Sequence, residues 1–306
     1  MTDNIVLPVT LSIAEYNIDF GIISALFFVL VFVASVYQSL TKKVEPFEIF
    51  DFGFKTILIM LLTARVFAVI NNPNFYLADP SQILNLQDGK FFYPGLILGV
   101  ILSVFFMSSS LAKNVGYMNL LDLAIKAYAY SAVWLLLGFF LSARTLGVEF
   151  EGSIGVAYID GSVRFPSSMI QALYTIVGIV ILSAWPNIKA KSGITAAIFI
   201  MLFSTLEFIL RFFSNAYDPV ILGFIDLYQF FYLIFVSFSI LIFIRINQIQ
   251  KLDTQNITGE GELASGRAKF DISGFKKDKV SAKELFSLSY GSVINNNQQK
   301  STRATK

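Results

Sequence analysis

Long apolar runs separated by short polar stretches dominate the chain up to residue 245. Seven of them are long enough for a helix that crosses a bilayer, which needs roughly 20 residues. They are residues 20–40, 49–70, 91–111, 118–141, 168–185, 194–213 and 222–244. The runs do not alternate apolar with polar positions as membrane β-barrel strands do, and a helix satisfies its own backbone hydrogen bonds in lipid. The pattern therefore predicts an all-α integral membrane protein with seven transmembrane helices.

The basic residues of the loops predict the orientation of these helices. Lysines follow the first, third and fifth runs, and Arg245 and Lys251 follow the seventh. The opposite loops carry fewer basic residues, and the segment before residue 20 carries none. Because loops rich in lysine and arginine stay in the cytoplasm, we expect the N-terminus outside and the C-terminus inside.

Composition supports a membrane protein and narrows the chemistry. Of the 306 residues, 55% are apolar and 14% are charged, against about 25% charged in soluble domains. The chain has no cysteine and no histidine. Disulfides, zinc or haem sites of the usual Cys/His type, and Ser-His or Cys-His catalysis are therefore excluded. Nothing in the sequence indicates a metal, a cofactor or a nucleic-acid partner.

The composition changes after residue 245. Residues 246–306 are rich in lysine, asparagine, glutamine, serine and glycine. Such segments bury too little apolar surface to fold alone. We therefore predict a transmembrane domain at 1–245 and a polar, mostly disordered cytoplasmic tail at 246–306.

Charges inside the predicted spans occur as opposite-sign pairs four residues apart. Residues at this spacing lie about one turn apart on one helix face and can neutralise each other in lipid. The three pairs are Asp51 with Lys55, Asp122 with Lys126, and Glu207 with Arg211. For the first two pairs, simple structural pairing and a functional role are equally good interpretations. The third pair lies in the outer half of its helix and is predicted to form a buried pair.

Several charged or polar residues fall toward the outer leaflet in this orientation. Arginine there suits a lipid phosphate, because its planar group can bind two phosphate oxygens and stays charged. The alternative is that some of these arginines only extend to the headgroup layer. The residues in question are Arg65, Asp88, Tyr93, Arg144, Arg164, Glu207, Arg211 and Asp226.

Residues 63–99, "TARVFAVINNPNFYLADPSQILNLQDGKFFYPGLILG", resemble the prolipoprotein diacylglyceryl transferases of bacterial inner membranes. That family has a "GAR" helix end, "ADP" or "ANP", "DG" and a glycine-rich helix start in this order. Three weaker segments follow in the family's order: "ARTLGVEFEGSIG" at its arginine-glycine-asparagine signature, "RFPSSMIQAL" at its "RHPSQLYE" motif, and "FSTLEFILRFF" at its "YGAFRIIVEFF". The resemblance covers about residues 20–245 and leaves out the tail.

The resemblance implies an enzyme of the bacterial cytoplasmic (inner) membrane. It would transfer diacylglyceryl from phosphatidylglycerol to the lipobox cysteine thiol of a prolipoprotein, whose signal peptide it would bind, without a cofactor. The implied catalytic residues are Arg144 and Glu207. The residues expected to bind the lipid phosphate are Arg144, Arg65, Arg211, Tyr93 and Asp88.

The sequence departs from the family at several motif positions. Tyr93 stands where the family has an essential histidine, and an ordinary tyrosine is a poor base at neutral pH. Gly147 replaces the signature asparagine, and Phe165 replaces a second histidine. The arginine and glutamate of the family's last motif are exchanged here as Glu207 and Arg211.

Two hypotheses follow from the resemblance and these departures. In the first, the chain is a divergent transferase in which Arg144, helped by Arg65 and Arg211, binds the phosphate, and the thiol proton passes to water or to Glu207. In the second, the protein keeps the fold and a lipid cavity but acts as an inactive lipid- or lipoprotein-binding scaffold. A transporter is a third, less favoured alternative, because the spans show no clear inverted repeat.

Overall fold

The computed structural model describes residues 7–8, 10–13, 16–84, 93–107, 109–145, 147–184, 192–214 and 223–267. The described part is mostly helical. Its helices are α1 (Phe20–Leu40), α2 (Pro46–Asn71), α3 (Pro73–Ala78), α4 (Tyr93–Leu102), α5 (Ser109–Val115), α6 (Tyr117–Leu141), α7 (Ser167–Ala184), α8 (Ile194–Leu210) and α9 (Leu227–Arg267). Short 3₁₀ turns, Pro80–Ile83 and Arg211–Phe213, lie after α3 and α8.

Six of these helices are long and apolar enough to cross a membrane: α1, α2, α6, α7, α8 with its 3₁₀ extension, and α9. The prediction of a helical membrane protein with several spans is confirmed, whereas seven spans are not. The third predicted span, 91–111, contains instead the shorter helix α4, a π-helical turn at Ser103–Met107 and then α5. The orientation of the termini stays a prediction.

Two small hairpins add strands to the helical fold. Strand β1 (Thr10–Ile13) pairs antiparallel with β2 (Tyr16–Asp19), and Thr10 lies opposite Asp19. In the segment between α6 and α7, β3 (Val156–Ala157) pairs antiparallel with β4 (Val163–Arg164). Because β2 ends at Asp19 and α1 begins at Phe20, the first hairpin leads directly into the first spanning helix.

Helix α6 is the centre of the bundle. It packs against α1, α7 and α8, while α2 packs mainly against α4. Glycine permits that second contact, because a Cβ atom on Gly95 or Gly99 would lie 2.6 Å from the Cα of Ala64 and 2.5 Å from the Cα of Met60. The Thr63 hydroxyl also donates to the carbonyl of Gly95, at 2.7 Å. Such close backbone approach is how helices associate in lipid, where apolar burial gives little driving force.

The last helix continues beyond the end of the predicted span. We expected the span to stop at residue 244, and α9 runs to Arg267. Contacts divide the chain into two units, Met1–Lys251 and Leu252–Lys306, and every site residue discussed below belongs to the first. The predicted tail at 246–306 otherwise lies largely outside the described residues.

The charged pairs within the spans turn out differently from one another. Asp51 and Lys55 form the predicted pair at 2.6 Å. Lys126 acts electrostatically on Asp122, and both carboxylate oxygens of Asp122 also accept backbone N–H groups at the start of α8, from Gly193 and Ala196, each at 2.7 Å. A carboxylate is stabilised there by the unpaired N–H groups and the positive end of the helix dipole. Asp122 therefore joins α6 to the first turn of α8.

Candidate lipid-binding site

The end of α6 fixes the position of Arg144. Arg144 N–H donates to the carbonyl of Phe139 at 3.1 Å, and Ala143 N–H donates to that of Phe140 at 3.2 Å. These bonds form a Schellman ending, in which the residue after the cap adopts a left-handed conformation. Ala143 has this conformation, with φ of 52°, although glycine is usual there. The turn holds the arginine at the mouth of the bundle at a backbone cost of about 1–2 kcal/mol.

Arg144 forms an ion pair with Asp19, the residue that precedes α1. The Nη2 and Nε atoms of Arg144 lie 2.6 and 3.2 Å from Oδ2 of Asp19. The other carboxylate oxygen of Asp19 accepts the N–H of Gly21 at 2.6 Å and so caps α1. Gly21 permits the approach, since a Cβ atom there would lie 2.6 Å from Nε of Arg144. The ion pair therefore ties the start of α1 to the end of α6.

An apolar cavity opens beside this ion pair. Its volume is about 360 Å³, and α1, α2, α4 and α6 contribute its walls. Ligand cavities in proteins usually measure about 300–1,000 Å³. Among the described residues, the polar side chains that line it are those of Arg144 and Tyr93, and the rest of the lining is apolar. The cavity thus combines a surface for hydrocarbon with one positive charge and one phenol.

Tyr93 begins α4 and forms part of the cavity wall. Its ring packs edge-on against Phe139, with ring centroids 5.8 Å apart. Glu207 and Arg211 lie close enough to act electrostatically on its hydroxyl group. Tyr93 therefore lines the cavity and also interacts electrostatically with a second polar cluster inside the bundle.

That second cluster is centred on Glu207 of α8. Glu207 is 5% exposed. One of its carboxylate oxygens accepts the side-chain amide of Gln171 at 2.8 Å, and the other accepts the hydroxyl of Tyr174. Both donors come from α7, so the cluster joins α7 to α8. A buried carboxylate needs such donors, because an unpaired one is very costly in a low-dielectric interior.

Arg211 acts electrostatically on Glu207, its predicted partner, and forms an ion pair with Asp226. Its Nε atom lies 2.5 Å from Oδ2 of Asp226, and its guanidinium lies over the ring of Tyr228, 4.2 Å from the centroid. Asp226 also accepts the N–H of Gln229 at 2.8 Å, while Gln229 Oε1 accepts the N–H of Asp226 at 3.1 Å. This reciprocal capping box begins α9. Arg211 is thus bound to the start of the last helix.

Of the remaining predicted phosphate-binding residues, Arg65 lies apart from the cavity lining. Arg65 is buried and donates to the backbone carbonyls of Ile83 and Gln82, which favours a structural role in holding the 3₁₀ turn. Asp88 lies outside the described residues. The structure therefore brings Arg144 and Tyr93 together at the cavity and shows Glu207 in the adjoining cluster.

Arg164 belongs to the hairpin formed by β3 and β4. Its Nη2 atom lies 3.2 Å from Asp160, and its Nε atom donates to the Ser162 hydroxyl at 2.7 Å. The pKa of the Asp160 carboxyl lies below its ordinary value, mainly because the side chain and backbone of Ser162 donate hydrogen bonds to it and also because of Arg164. This group stabilises the turn between β3 and β4.

Comparison with known proteins identifies the family. Residues 8–245 match the sequence pattern of the prolipoprotein diacylglyceryl transferases. The chain belongs to this family. A relative from Clostridium novyi named phosphatidylglycerol–prolipoprotein diacylglyceryl transferase is 22% identical over 237 residues, which cover 74% of this chain and 91% of the relative. Proteins with the same name from Listeria innocua (23% identical, 61% of this chain and 71% of the relative) and Rickettsia bellii (22%, 70% and 82%) are also similar. The structure and the family together show a multi-pass membrane protein.

Two residues of the site were not predicted from the sequence. Asp19 was not predicted to bind Arg144, although its position before an apolar run is typical of a helix cap. Tyr174 gave no signal, because its contact with Glu207 joins residues 33 positions apart. Gln171 belongs to the segment "RFPSSMIQAL" that resembles a family motif, and it proves to be a hydrogen-bond donor to Glu207.

Proposed function

We propose that this protein transfers the diacylglyceryl group of phosphatidylglycerol to the thiol of a lipobox cysteine in a prolipoprotein. The observation that carries the proposal is the position of Arg144 at the polar end of an apolar cavity of about 360 Å³. A phospholipid has the complementary chemistry, since its acyl chains suit the apolar walls and its phosphate suits a guanidinium. The names of the relatives from Clostridium novyi and Listeria innocua support the same reaction.

The proposed reaction is a displacement at carbon. The cysteine sulfur forms a bond to the terminal glycerol carbon of the diacylglyceryl group, and the bond from that carbon to the phosphate oxygen breaks. Glycerol phosphate leaves with the electron pair, and the thiol loses its proton. Arg144 stabilises the negative charge that grows on the leaving phosphate, which is the electrostatic part of catalysis.

Glu207 is the proposed acceptor of the thiol proton, either directly or through water. It is a buried carboxylate within electrostatic range of Tyr93, which lines the cavity. Its hydrogen bonds to Gln171 and Tyr174 fix both oxygens, so that the group is oriented before substrate binds. Because the chain has no histidine, we assign the role of general base to this carboxylate.

The proposed location is the bacterial cytoplasmic membrane, with the cavity at its outer leaflet. Phosphatidylglycerol and the signal peptide of a prolipoprotein are the proposed partners. The predicted orientation, which places the outer ends of α1 and α6 on the external side, agrees with a substrate that has already been exported.

An inactive lipid-binding scaffold is the second candidate function. The sequence favours it, because Tyr93 stands where the family has an essential histidine, and an ordinary tyrosine is a poor base at neutral pH. A scaffold would retain phosphatidylglycerol through the same cavity without releasing glycerol phosphate.

One assay separates the two functions. Purified protein in detergent containing phosphatidylglycerol is mixed with a lipobox peptide, and release of glycerol phosphate is measured beside lipid retention by native mass spectrometry. Release indicates the transferase, whereas retention without release indicates the scaffold.

Substitution of Arg144 tests the site itself. Arg144→Ala is expected to reduce retention of phosphatidylglycerol strongly, and Arg144→Lys less so, because an ammonium group cannot bind two phosphate oxygens in a fixed plane. Lys113→Ala, at an exposed position remote from the cavity lining, is the control and should change little. Undiminished retention in Arg144→Ala would exclude Arg144 as the phosphate ligand for both functions.

A further inference from the structure

The counter-ion of Arg144 suggests a role beyond structure. We propose that Asp19 competes with phosphate for Arg144, and that its return to Arg144 after transfer promotes release of glycerol phosphate. This inference rests on the proposed function, because it describes how the same site exchanges its substrate and product. Asp19 is then a residue that sets the affinity of Arg144 for phosphate, and it touches no reacting atom.

The geometry allows the carboxylate to leave Arg144 without unfolding α1. Asp19 uses Oδ2 for Arg144 and Oδ1 for the N–H of Gly21, so the two contacts are separate. Its side chain is 37% exposed, against 18% for that of Arg144. Water can therefore solvate the displaced carboxylate, while the less exposed guanidinium stays beside the cavity that it lines.

Competition with Asp19 has different consequences for lipid and product. A phospholipid that displaces the carboxylate also places hydrocarbon against the apolar walls of the cavity, which provides further binding free energy. Glycerol phosphate carries no acyl chain, so only its charged group opposes the carboxylate. Asp19 therefore weakens the binding of both phosphates by a similar factor, but only the lipid keeps the apolar contacts that hold it in the cavity. The product, which lacks them, leaves when Asp19 returns to Arg144.

Asp19→Asn tests this inference, because asparagine caps helices as well as aspartate does and removes only the charge. An ion pair that is partly exposed contributes about 0.2–1 kcal/mol, so binding of a phosphate to Arg144 should become up to about fivefold tighter. We expect glycerol phosphate to inhibit the Asp19→Asn variant at about 1.4- to fivefold lower concentration than it inhibits the wild-type protein. The KM for phosphatidylglycerol should fall by a similar factor, because the lipid phosphate displaces the same carboxylate.

Two control variants make the measurement specific. Asp160→Asn removes the partner of another outer arginine, Arg164, and leaves the cavity lining unchanged, so product inhibition should stay as in the wild-type protein. Asp19→Glu keeps the charge and should restore inhibition toward the wild-type value. A loss of helix capping alone would not tighten binding of glycerol phosphate.

The outcomes distinguish this inference from the proposed function. If the wild-type protein releases glycerol phosphate and Asp19→Asn shows unchanged or weaker product inhibition, the competition is refuted while the transferase function stands. If the wild-type protein retains lipid without turnover, the readout becomes direct binding of glycerol phosphate, and Asp19→Asn should still tighten it. Absence of any phosphate or lipid binding in the wild-type protein would refute both.

Discussion

The ion pair between Arg211 and Asp226 should be a major source of stability, and its size can be worked out from its surroundings. The side chains are 16% and 14% exposed, and the charged atoms lie 2.5 Å apart. Removing one partner of a buried pair leaves an uncompensated charge, which costs about 3–5 kcal/mol. Arg211→Leu also loses the contact with Tyr228, which contributes about 1 kcal/mol. Asp226→Asn keeps the helix cap and removes only the negative charge of the Asp226 carboxylate.

A double-mutant cycle measures this coupling. We expect each single substitution to lower the free energy of unfolding by about 3 kcal/mol or more, and the double variant Arg211→Leu/Asp226→Asn to lower it by only about 1–2 kcal/mol, because neither member of the pair is left with an uncompensated charge. The measurement is unfolding in mixed micelles. The exposed pair of Asp51 and Lys55, 2.6 Å apart, is the control and should show less than about 1 kcal/mol of coupling. Additive effects at Arg211 and Asp226 would refute the reasoning.

Three further predictions concern orientation, local strain and chemistry. A reporter fused after Lys306 should be cytoplasmic and one inserted near Asn72 external, and the opposite labelling would overturn the outer site. Ala143→Gly should raise the free energy of unfolding by about 1 kcal/mol, because glycine adopts the left-handed conformation without steric cost, and a fall in stability would contradict the Schellman ending. Glu207→Gln should lower kcat by about 10²–10⁴-fold with lipid retention unchanged, and an unchanged kcat would exclude Glu207 as the proton acceptor.

Most of the helices could be predicted because lipid leaves the backbone few alternatives. Predicted spans at 20–40 and 118–141 agree with Phe20–Leu40 and Tyr117–Leu141 to within one residue. The third span is not confirmed, and the backbone gives a physical reason. Residues 103–107 are apolar enough to continue a spanning helix, but the backbone there forms a π-helical turn. Hydropathy reports how apolar a segment is and carries no information on which helical hydrogen-bond pattern it adopts.

The charged residues were harder to predict, because spacing along one helix describes only local partners. It gave the correct partner for Asp51, which is exposed and has Lys55 one turn away. It was incomplete for Asp122, because the hydrogen bonds of this carboxylate come from two backbone N–H groups of another helix. Such a contact joins residues about 70 positions apart and leaves no periodic signal in one sequence.

Helix-capping residues are a local sequence signal for the two ion pairs between distant residues, Arg144 with Asp19 and Arg211 with Asp226. Asp226 and Gln229 have the spacing of a capping box, and Asp19 stands directly before an apolar run. A carboxylate at a helix start has one oxygen bound to the backbone and another available for a cation. An arginine at the outer end of a neighbouring helix is then a suitable partner.

The two aspartate–arginine pairs differ in ways that separate structure from function. Both aspartates cap a spanning helix and hold an arginine from another element. Asp226 is 14% exposed, so a ligand that displaced it would leave the carboxylate in a dry environment at a large cost. Asp19 is 37% exposed, and its arginine lines the cavity. Exchange of one anion for another is therefore inexpensive only at Arg144, which is why we place the phosphate there and assign Arg211 to the stability of the bundle.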